Sequence, residues 1–531
     1  MARNSLHSWT QSLSPGHLDV LVIGGGATGL GVAVQAALEA RSVALVEARD
    51  FAAGTSSRST KLLHGGVRYL AQGHIPLVRE ALRERGTILR LAPHLAQPLP
   101  FVVAEQRGWS WLITTLGLKA YAAMAGRLGL GPTELLSAES LRAILPSLPK
   151  PFAGVRYWDG QFEDARLALA LAKTAENAGA VMRNHTRVIG LESSPDGWRV
   201  NLRDQLSGET STIHTRCVVN ATGVWIDELR QSALTQHKAT PGNGSTTPMV
   251  RPSQGVHLVV KRETLPLEQA VLVPKTSDGR VLFALPWLGS TLIGTTDTPR
   301  SDAPCEPRAT PEELKFLFEQ TRISLGVALR VEDVRSVWVG LRPLVNQNSH
   351  HSTADVSREH VIQRDGPGFV SVSGGKWTTY RAMAEAVMAS LVLARDLPAP
   401  ARAARTNQHR LHGAMSPAVE LAIQHSPGMH LLGSEASAVA ALPGHHHALG
   451  LGLTESMVRY SARQEWAITV EDMLARRWRV LFLDARLAQQ IAPRVAQILQ
   501  EETGIDPQLD AFLSTSEQYI LKPSEIPCES N

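Results

Sequence analysis

The stretch Asp19-Val-Leu-Val-Ile-Gly-Gly-Gly-Ala-Thr-Gly29, continued by small and apolar residues through Ala40 and by Val43-Ala-Leu-Val-Glu47, decides the fold of this chain. The aliphatic, β-branched run Asp19 to Ile23 reads as a strand. The residues after Gly29 recur at helical spacing, and Val43 to Val46 reads as a second strand. Together they form a βαβ unit of about thirty residues. Its glycines have mechanical uses: Gly24, Gly26 and Gly29 permit a tight turn, close approach of backbone to a pyrophosphate, and packing of helix on strand. The helix N-terminus is then left pointing at the phosphates. Glu47 stands where a ribose 2′-hydroxyl would be held, and a carboxylate there repels a 2′-phosphate, which disfavours NADP. Strand, glycine turn, helix, strand and acid in register predict a dinucleotide site.

Outward from this unit, 531 residues at about 150 per domain suggest about three domains. A composition of 43% hydrophobic and 19% charged residues excludes disordered and fibrous classes. Cys217, Cys305 and Cys528 are odd in number and far apart, so neither a disulfide framework nor a metal site is indicated, and a reducing cytosol fits best. Fifty-three basic against 49 acidic side chains leave a net charge of +4, which gives little support to nucleic-acid binding. Met1 to Leu18 is polar with no apolar core, unlike a secretory signal. The most apolar stretch, Trp109 to Leu130, is interrupted by Lys119 and Arg127 and is not expected to span a bilayer. Tryptophan outnumbers phenylalanine, 11 to 10.

Helical patterns follow at Ile75 to Pro93 and Asp164 to Ala178. Alternating, strand-like stretches lie at Trp198 to Arg203, Gln254 to Val260, Gly279 to Leu285 and Ser290 to Thr295. Thr235 to Ser253 reads as a long loop. Strand-to-glycine turns return at Cys217-Val-Val-Asn-Ala-Thr-Gly223 and at Phe369-Val-Ser-Val-Ser-Gly-Gly-Lys376. The nucleotide domain is therefore expected to be discontinuous, built from three stretches with a second domain inserted, and charged helical patterns beyond Pro400 suggest a helical tail.

Gly54-Thr-Ser-Ser-Arg-Ser-Thr-Lys-Leu-Leu-His-Gly-Gly-Val-Arg-Tyr-Leu70 clusters hydroxyls and backbone amides. They suit either contacts to a cofactor larger than one nucleotide or a turn that caps the next helix. His445-His446-His447 reads as a solvated loop, since consecutive residues converge poorly on one ion. No hydrolase elbow or Walker motif is present.

The 54–70 string is similar to the signature of the FAD-dependent, quinone-linked glycerol-3-phosphate dehydrogenases. Further matches run in family order: Asp164-Ala-Arg-Leu167, Asn220-Ala-Thr-Gly223, His257, Ile293-Gly-Thr-Thr-Asp297, Gly340-Leu-Arg-Pro-Leu344, Arg358, Gly374-Gly-Lys376 and Thr378-Thr-Tyr-Arg381. Val224 stands where the family usually has proline, and Trp377 where it has leucine. The resemblance implies an α/β (α+β mixed) chain with a Rossmann-like FAD-binding fold of the D-amino-acid-oxidase-like type, an inserted β-sheet substrate domain and a C-terminal helical domain. The expected divisions are 19–95, 151–230 and 341–398 for the FAD domain, the last carrying the substrate arginines, 96–150 for a membrane- and quinone-facing and substrate-domain segment, 231–340 for the substrate domain and 400–521 for the tail.

The implied reaction oxidises sn-glycerol 3-phosphate to dihydroxyacetone phosphate with hydride passing to FAD. Arginine suits bidentate phosphate binding, so Arg342 and Arg358 are first choices for the clamp, helped by Arg68, Tyr69 and the Thr295 hydroxyl. By residue type alone each arginine more often makes a surface ion pair. His257 and His64 are the candidate bases, histidine being the side chain that titrates near neutrality, with His64 alternatively facing the flavin; Lys376, also a candidate catalytic residue, either orients the substrate oxygen or stays charged beside the flavin. The expected FAD contacts are Gly24, Gly26, Gly29, Glu47, Thr55, Ser56, Ser57, Lys61, His64, Gly65, Ala221, Gly223, Gly375, Lys376 and Thr378. No metal is expected.

A quinone is a bilayer molecule, so its reductase needs a surface in the membrane interface. The aromatic and aliphatic residues of Pro98 to Leu130, beside Arg79, Arg83, Arg85 and Arg90, suit an interfacial helix, although an ordinary packing helix reads similarly. The resemblance favours peripheral attachment on the inner face of the cytoplasmic membrane and leaves a homodimer open. Competing readings are a soluble oxidase using O2, an amine or amino-acid oxidase of related fold, and an FAD-binding sensor without turnover.

Overall fold

The computed structural model describes residues 3–13, 18–66, 70, 73–105, 109–149, 153–236, 247–274, 276, 279–346, 360–415 and 423–526. The first strand, Leu18–Ile23, lies between two parallel neighbours, Val43–Val46 and Thr210–Asn220. Outside them run Val181–Arg183 on one side and Phe369–Gly374, then His360–Gly366, on the other. Strand alternation explains the layers. Val20 and Val22 point into a core shared with helices Ala27–Leu38, Asp164–Asn177 and Tyr380–Leu393, while Leu21 and Ile23 face the opposite side. There the sheet is covered by Trp198, Val200 and Leu202 of the antiparallel pair Thr186–Ser194 and Gly197–Asp204. Burial on both faces is why the first strand reads as a continuous apolar run. The strands come from residues 18–46, 181–220 and 360–374, and the Rossmann-like fold expected for the chain is present.

A second sheet has ten strands and stands over the carboxyl ends of the parallel strands. At one end of it Val250–Lys261 pairs with Val334–Val345 along almost their whole lengths, which sets Gly255 opposite Gly340 and His257 opposite Trp338. Ala153–Phe162 belongs to this sheet too, antiparallel to Ala96–Glu105. Residues 153–162 and 341–345 therefore sit with the substrate sheet rather than in the FAD stretches 151–230 and 341–398 to which their sequence neighbours assign them. Pairing across about fifty residues decides this, and no local pattern encodes it. The predicted helices and strands at 75–93, 164–178, 198–203, 254–260, 279–285 and 290–295 appear as Ile75–Leu91, Asp164–Asn177, Gly197–Asp204, Val250–Lys261, Leu282–Trp287 and Ser290–Gly294.

The tail is helical, with Glu455–Gln464, Ala485–Thr503 and Leu509–Ser516 as its main elements. Asp484 caps the longest helix by accepting from the Leu487 amide, and Gly504 closes it at φ 69°. The tail does not hang loose: Leu481 and Phe482 enter one core with Trp287 and Trp338 of the substrate sheet. Asp50 of the FAD domain is paired with Arg476 and Arg477 of the tail. Asp50, His185 and Asp472 cluster closely, but their negative charge is answered by these arginines, and Asp472 also accepts two backbone amides. Among the described residues no helix is long and apolar enough to cross a membrane.

Candidate active site

At the carboxyl end of the first strand the chain turns at Gly24 with φ 111°, a conformation that L side chains rarely adopt. A Cβ there would lie 2.5 Å from the Ala221 carbonyl oxygen, and one at Gly29 only 2.0 Å from the Gly24 carbonyl oxygen. Gly24 lies at the head of a cavity of about 1590 Å³. The first amide of the helix, Ala27, donates to Ser56 Oγ at 2.9 Å. The Glu47 carboxylate accepts from the Gly25 and Arg49 amides at 2.7 and 2.9 Å. Burial pushes its pKa up while those amide bonds oppose the shift. Ala221, Gly223, Gly375, Lys376 and Thr378 complete this wall from the other two stretches of the domain. Trp377, the departure from the family leucine, uses its indole N–H to donate to the Ser56 carbonyl at 2.8 Å, tying the third stretch to the hydroxyl-rich turn.

The cavity continues to the face of the second sheet. Arg342 donates through one terminal nitrogen to Thr295 Oγ1 and the Thr296 carbonyl, at 3.1 and 3.0 Å, and through the other to Asp297 and the Gln254 carbonyl, both at 3.3 Å. Gly255 makes this possible, because a Cβ on it would lie 2.5 Å from the guanidinium and 2.6 Å from Thr295 Oγ1. His257 is 2% exposed, stacks on Trp338 with ring centroids 4.1 Å apart, and shares a 3.0 Å hydrogen bond between Nε2 and Thr60 Oγ1. Burial, then Lys61 and Arg342, hold its pKa well below the ordinary histidine value, so it is a neutral imidazole at working pH.

A third arm of the cavity is apolar, lined by Leu70, Phe101, Val103, Leu116, Leu118, Leu272 and Phe283. Helix Trp109–Ala125 supplies part of it. Beneath it Tyr121 donates to Asp159 at 2.8 Å and accepts from the Gly65 amide at 2.7 Å, and Arg85 closes the set by donating to Asp159 at 2.8 Å.

The structure thus brings Gly24, Gly26, Glu47, Thr55, Ser56, His64, Ala221, Gly223, His257, Thr295, Arg342, Gly375, Lys376 and Thr378 to one cavity. It places Gly29, Ser57, Lys61 and Gly65 behind its wall: Gly29 shapes the turn, the Gly65 amide is committed to Tyr121, and Ser57 and Lys61 are 1% and 0% exposed. The Lys61 ammonium pairs with Asp164 at 2.8 Å and donates to the Ser57 carbonyl, so it is turned away from the cofactor it was expected to touch. Arg68, Tyr69 and Arg358 lie outside the described residues. Asp297 and Thr60 were within quoted motifs but had no role assigned. Trp338 was missed, since an isolated tryptophan in an aliphatic strand gives no local sign that a histidine stacks on it.

A glycine-formed turn at a helix N-terminus, the Glu47 carboxylate fixed at the cavity wall by two backbone amides, and a cavity this large fit a bound FAD. Fold and site together define an FAD-dependent oxidoreductase of the two-sheet kind. The family described as "FAD dependent oxidoreductase" matches residues 19–381, and "C-terminal domain of alpha-glycerophosphate oxidase" matches 404–509. The mitochondrial glycerol-3-phosphate dehydrogenase of Arabidopsis thaliana is 37% identical over 91% of this chain and 83% of its own length. The Bos taurus enzyme is 36% identical over 92% of this chain and 71% of its own. The FAD complex of glycerol-3-phosphate dehydrogenase from Bacillus halodurans superposes with a TM-score of 0.74 at 27% identity, covering 97% of both chains. The chain belongs to the FAD-dependent glycerol-3-phosphate dehydrogenase family.

Proposed function

We propose that this cavity oxidises sn-glycerol 3-phosphate to dihydroxyacetone phosphate and that a membrane quinone takes up the electrons. The observation that carries the reading is the single cavity joining three chemically distinct arms: the glycine cradle, the Arg342–His257 wall, and the apolar arm beside helix Trp109–Ala125. FAD, when bound, supplies a two-electron acceptor for the hydride leaving C2 of the substrate. Arg342 binds the phosphate dianion, its planar fork held by Thr295, Thr296 and Asp297, so little conformational freedom is lost on binding. The family resemblance alone adds Arg358, Arg68 and Tyr69 as candidate phosphate ligands. His257, kept neutral, has a lone pair with which to take the C2 hydroxyl proton. Lys376 follows two left-handed glycines and opens a helix, where positive charge and backbone dipole favour electron density on the flavin. His64 lines the same cavity.

Peripheral attachment to the inner face of the cytoplasmic membrane rests on exposed apolar and basic side chains side by side. Leu116 is 59% and Ile75 43% exposed, and Arg79, Arg83 and Arg90 are exposed along helix Ile75–Leu91, which packs against helix Trp109–Ala125. Arg85 leaves this basic face, being buried against Asp159. Anaerobic sn-glycerol 3-phosphate is expected to bleach the flavin absorption of the holoenzyme, with rapid recolouring by a quinone analogue and slow recolouring by air. A flavin that stays oxidised removes the substrate, and recolouring faster in air than with the analogue makes the chain an oxidase.

A further inference from the structure

Behind the wall of the cavity lies a buried charge array that the reaction just described leaves unused. Lys61 is fully buried, with its ammonium 4.6 Å from the centre of the Trp338 ring and 5.1 Å from that of Trp287. The same Trp338 carries the His257 imidazole, stacked at 4.1 Å with an interplanar angle of 17°. Thr60, adjacent to Lys61 in the chain, hydrogen-bonds His257 Nε2. One short segment therefore reaches the histidine twice, through a hydroxyl and through an indole.

Placing a lysine at this depth is costly unless it is paired, and Asp164, which also accepts from the Ser59 amide and hydroxyl, offsets part of that cost: burial still draws the Lys61 pKa down to about 8, so the ammonium is charged on the acid side of neutrality. The helical tail adds Arg479, which donates to the Ser57 carbonyl and the Ala475 carbonyl and stands 3.3 Å from Glu163 and 3.8 Å from Asp164. Phe482, whose ring lies 3.9 Å from the Arg479 guanidinium and 5.9 Å from the Lys61 ammonium, closes the aromatic cage. Three parts of the chain far apart in sequence thus fix the ammonium at one point.

We propose that Lys61 is a positioning residue for the proton-transfer step: held by Asp164 and set over Trp338, it fixes the orientation of His257 and disfavours its imidazolium form. This rests on His257 acting as the base. A cation behind the shared indole raises the free energy of a second cation on the imidazole, and the stacked ring together with Thr60 restricts its tilt. The charged groups around His257 are Lys61 from the segment before strand Leu62–Leu63 and Arg342 from strand Val334–Val345, with Asp297 beside Arg342 and Asp164, Glu163 and Arg479 beyond Lys61.

The test is the pH profile of flavin reduction by sn-glycerol 3-phosphate, followed by anaerobic stopped flow on holoenzyme so that the acceptor plays no part. In Lys61→Met, Asp164 keeps its bonds from Ser59 and the Ala165 amide, and the fold is expected to persist. The acid limb should move to higher pH by about one unit, roughly a tenfold loss of rate on that limb, with KM at the pH plateau unchanged. Lys61→Arg should restore the limb, and Trp338→Phe should shift it in the same direction by less. The proposal is overturned by an unmoved limb in Lys61→Met with flavin fully bound, or, should that variant not retain flavin, by an unmoved limb in Trp338→Phe. His257→Asn separates the two readings. A limb that survives it overturns the assignment of the base, whereas a limb that it abolishes but that Lys61→Met and Trp338→Phe leave in place overturns the role of Lys61 alone.

Discussion

The two ends of the cavity are made by opposite means. At the cofactor end the determinants are missing side chains: Gly24 and Gly29 let backbone approach backbone, and the amides of the turn and helix start hold the Glu47 carboxylate and the Ser56 hydroxyl in place. At the substrate end the determinants are long side chains, Arg342, His257 and Trp338, brought together by strand pairing and held by hydrogen bonds to Thr295, Asp297 and Thr60. The first construction is intolerant of an added atom at Gly24 and Gly29. The second is assembled from side chains of distant segments, and shortening one of them is expected to cost rate rather than flavin binding.

That contrast is broken most directly at Gly24. Gly24→Val puts a branched side chain at φ 111° and within 2.5 Å of a carbonyl oxygen. Strain and overpacking of about 3 kcal/mol or more are expected, and the purified protein should lose nearly all its flavin absorbance. Full flavin occupancy in this variant would refute the cradle. Arg342→Ala, the matching change at the other end, should keep flavin absorbance at wild-type level while kcat/KM for sn-glycerol 3-phosphate falls by about 10²–10³, the worth of one or two charge-assisted hydrogen bonds to phosphate. Loss of flavin instead would move Arg342 out of the substrate clamp.

The same contrast sets what could be read beforehand. The cofactor end was legible because its unit, Asp19 to Glu47, is contiguous and each glycine has a local steric reason. The substrate end was legible only through the resemblance, since nothing near His257 in sequence indicates that Gly255 opens space for Arg342 or that Trp338 lies beneath the imidazole. Lys61 was misread for the same reason: its neighbours Thr55 and Ser56 do reach the cavity, but its partner Asp164 is about a hundred residues away and draws its ammonium to the other side of the wall. The strand Ala153–Phe162 was put with the wrong sheet because its long pairing with Ala96–Glu105 leaves no mark in either segment alone.

Trp377 sharpens the comparison because it is a side chain working at the backbone-built end. Trp377→Leu restores the residue usual in the family and removes the hydrogen bond to the Ser56 carbonyl, with an expected cost of about 1 kcal/mol and a weakening of flavin affinity by roughly fivefold. Titration of the apoprotein with FAD measures it. Unchanged affinity would mean that the cradle stands without this tie.

The smallest effect on flavin binding and reduction is expected at the joint between the ends. Glu306 pairs with Arg58 and Arg49 from the cofactor side and accepts from Tyr519 of the helical tail. It is mostly buried, and burial alone would raise its pKa, but the two arginines outweigh this and draw it down to about 2. The folded-state value thus lies below the unfolded one, so the pair contributes its full stability above about pH 4.5 and loses it as pH falls toward 2. Because Glu306 remains partly solvated and shares its charge between two arginines, a contribution of about 1–2 kcal/mol is reasonable. Glu306→Gln should lower the unfolding midpoint by a few degrees at pH 7 and flatten its dependence on pH below 4.5, leaving the flavin reduction rate near wild type. If the variant instead slowed reduction as much as Arg342→Ala, the joint would belong to the substrate end, and the division of the cavity into a backbone-built and a side-chain-built half would fail at the point where the two meet.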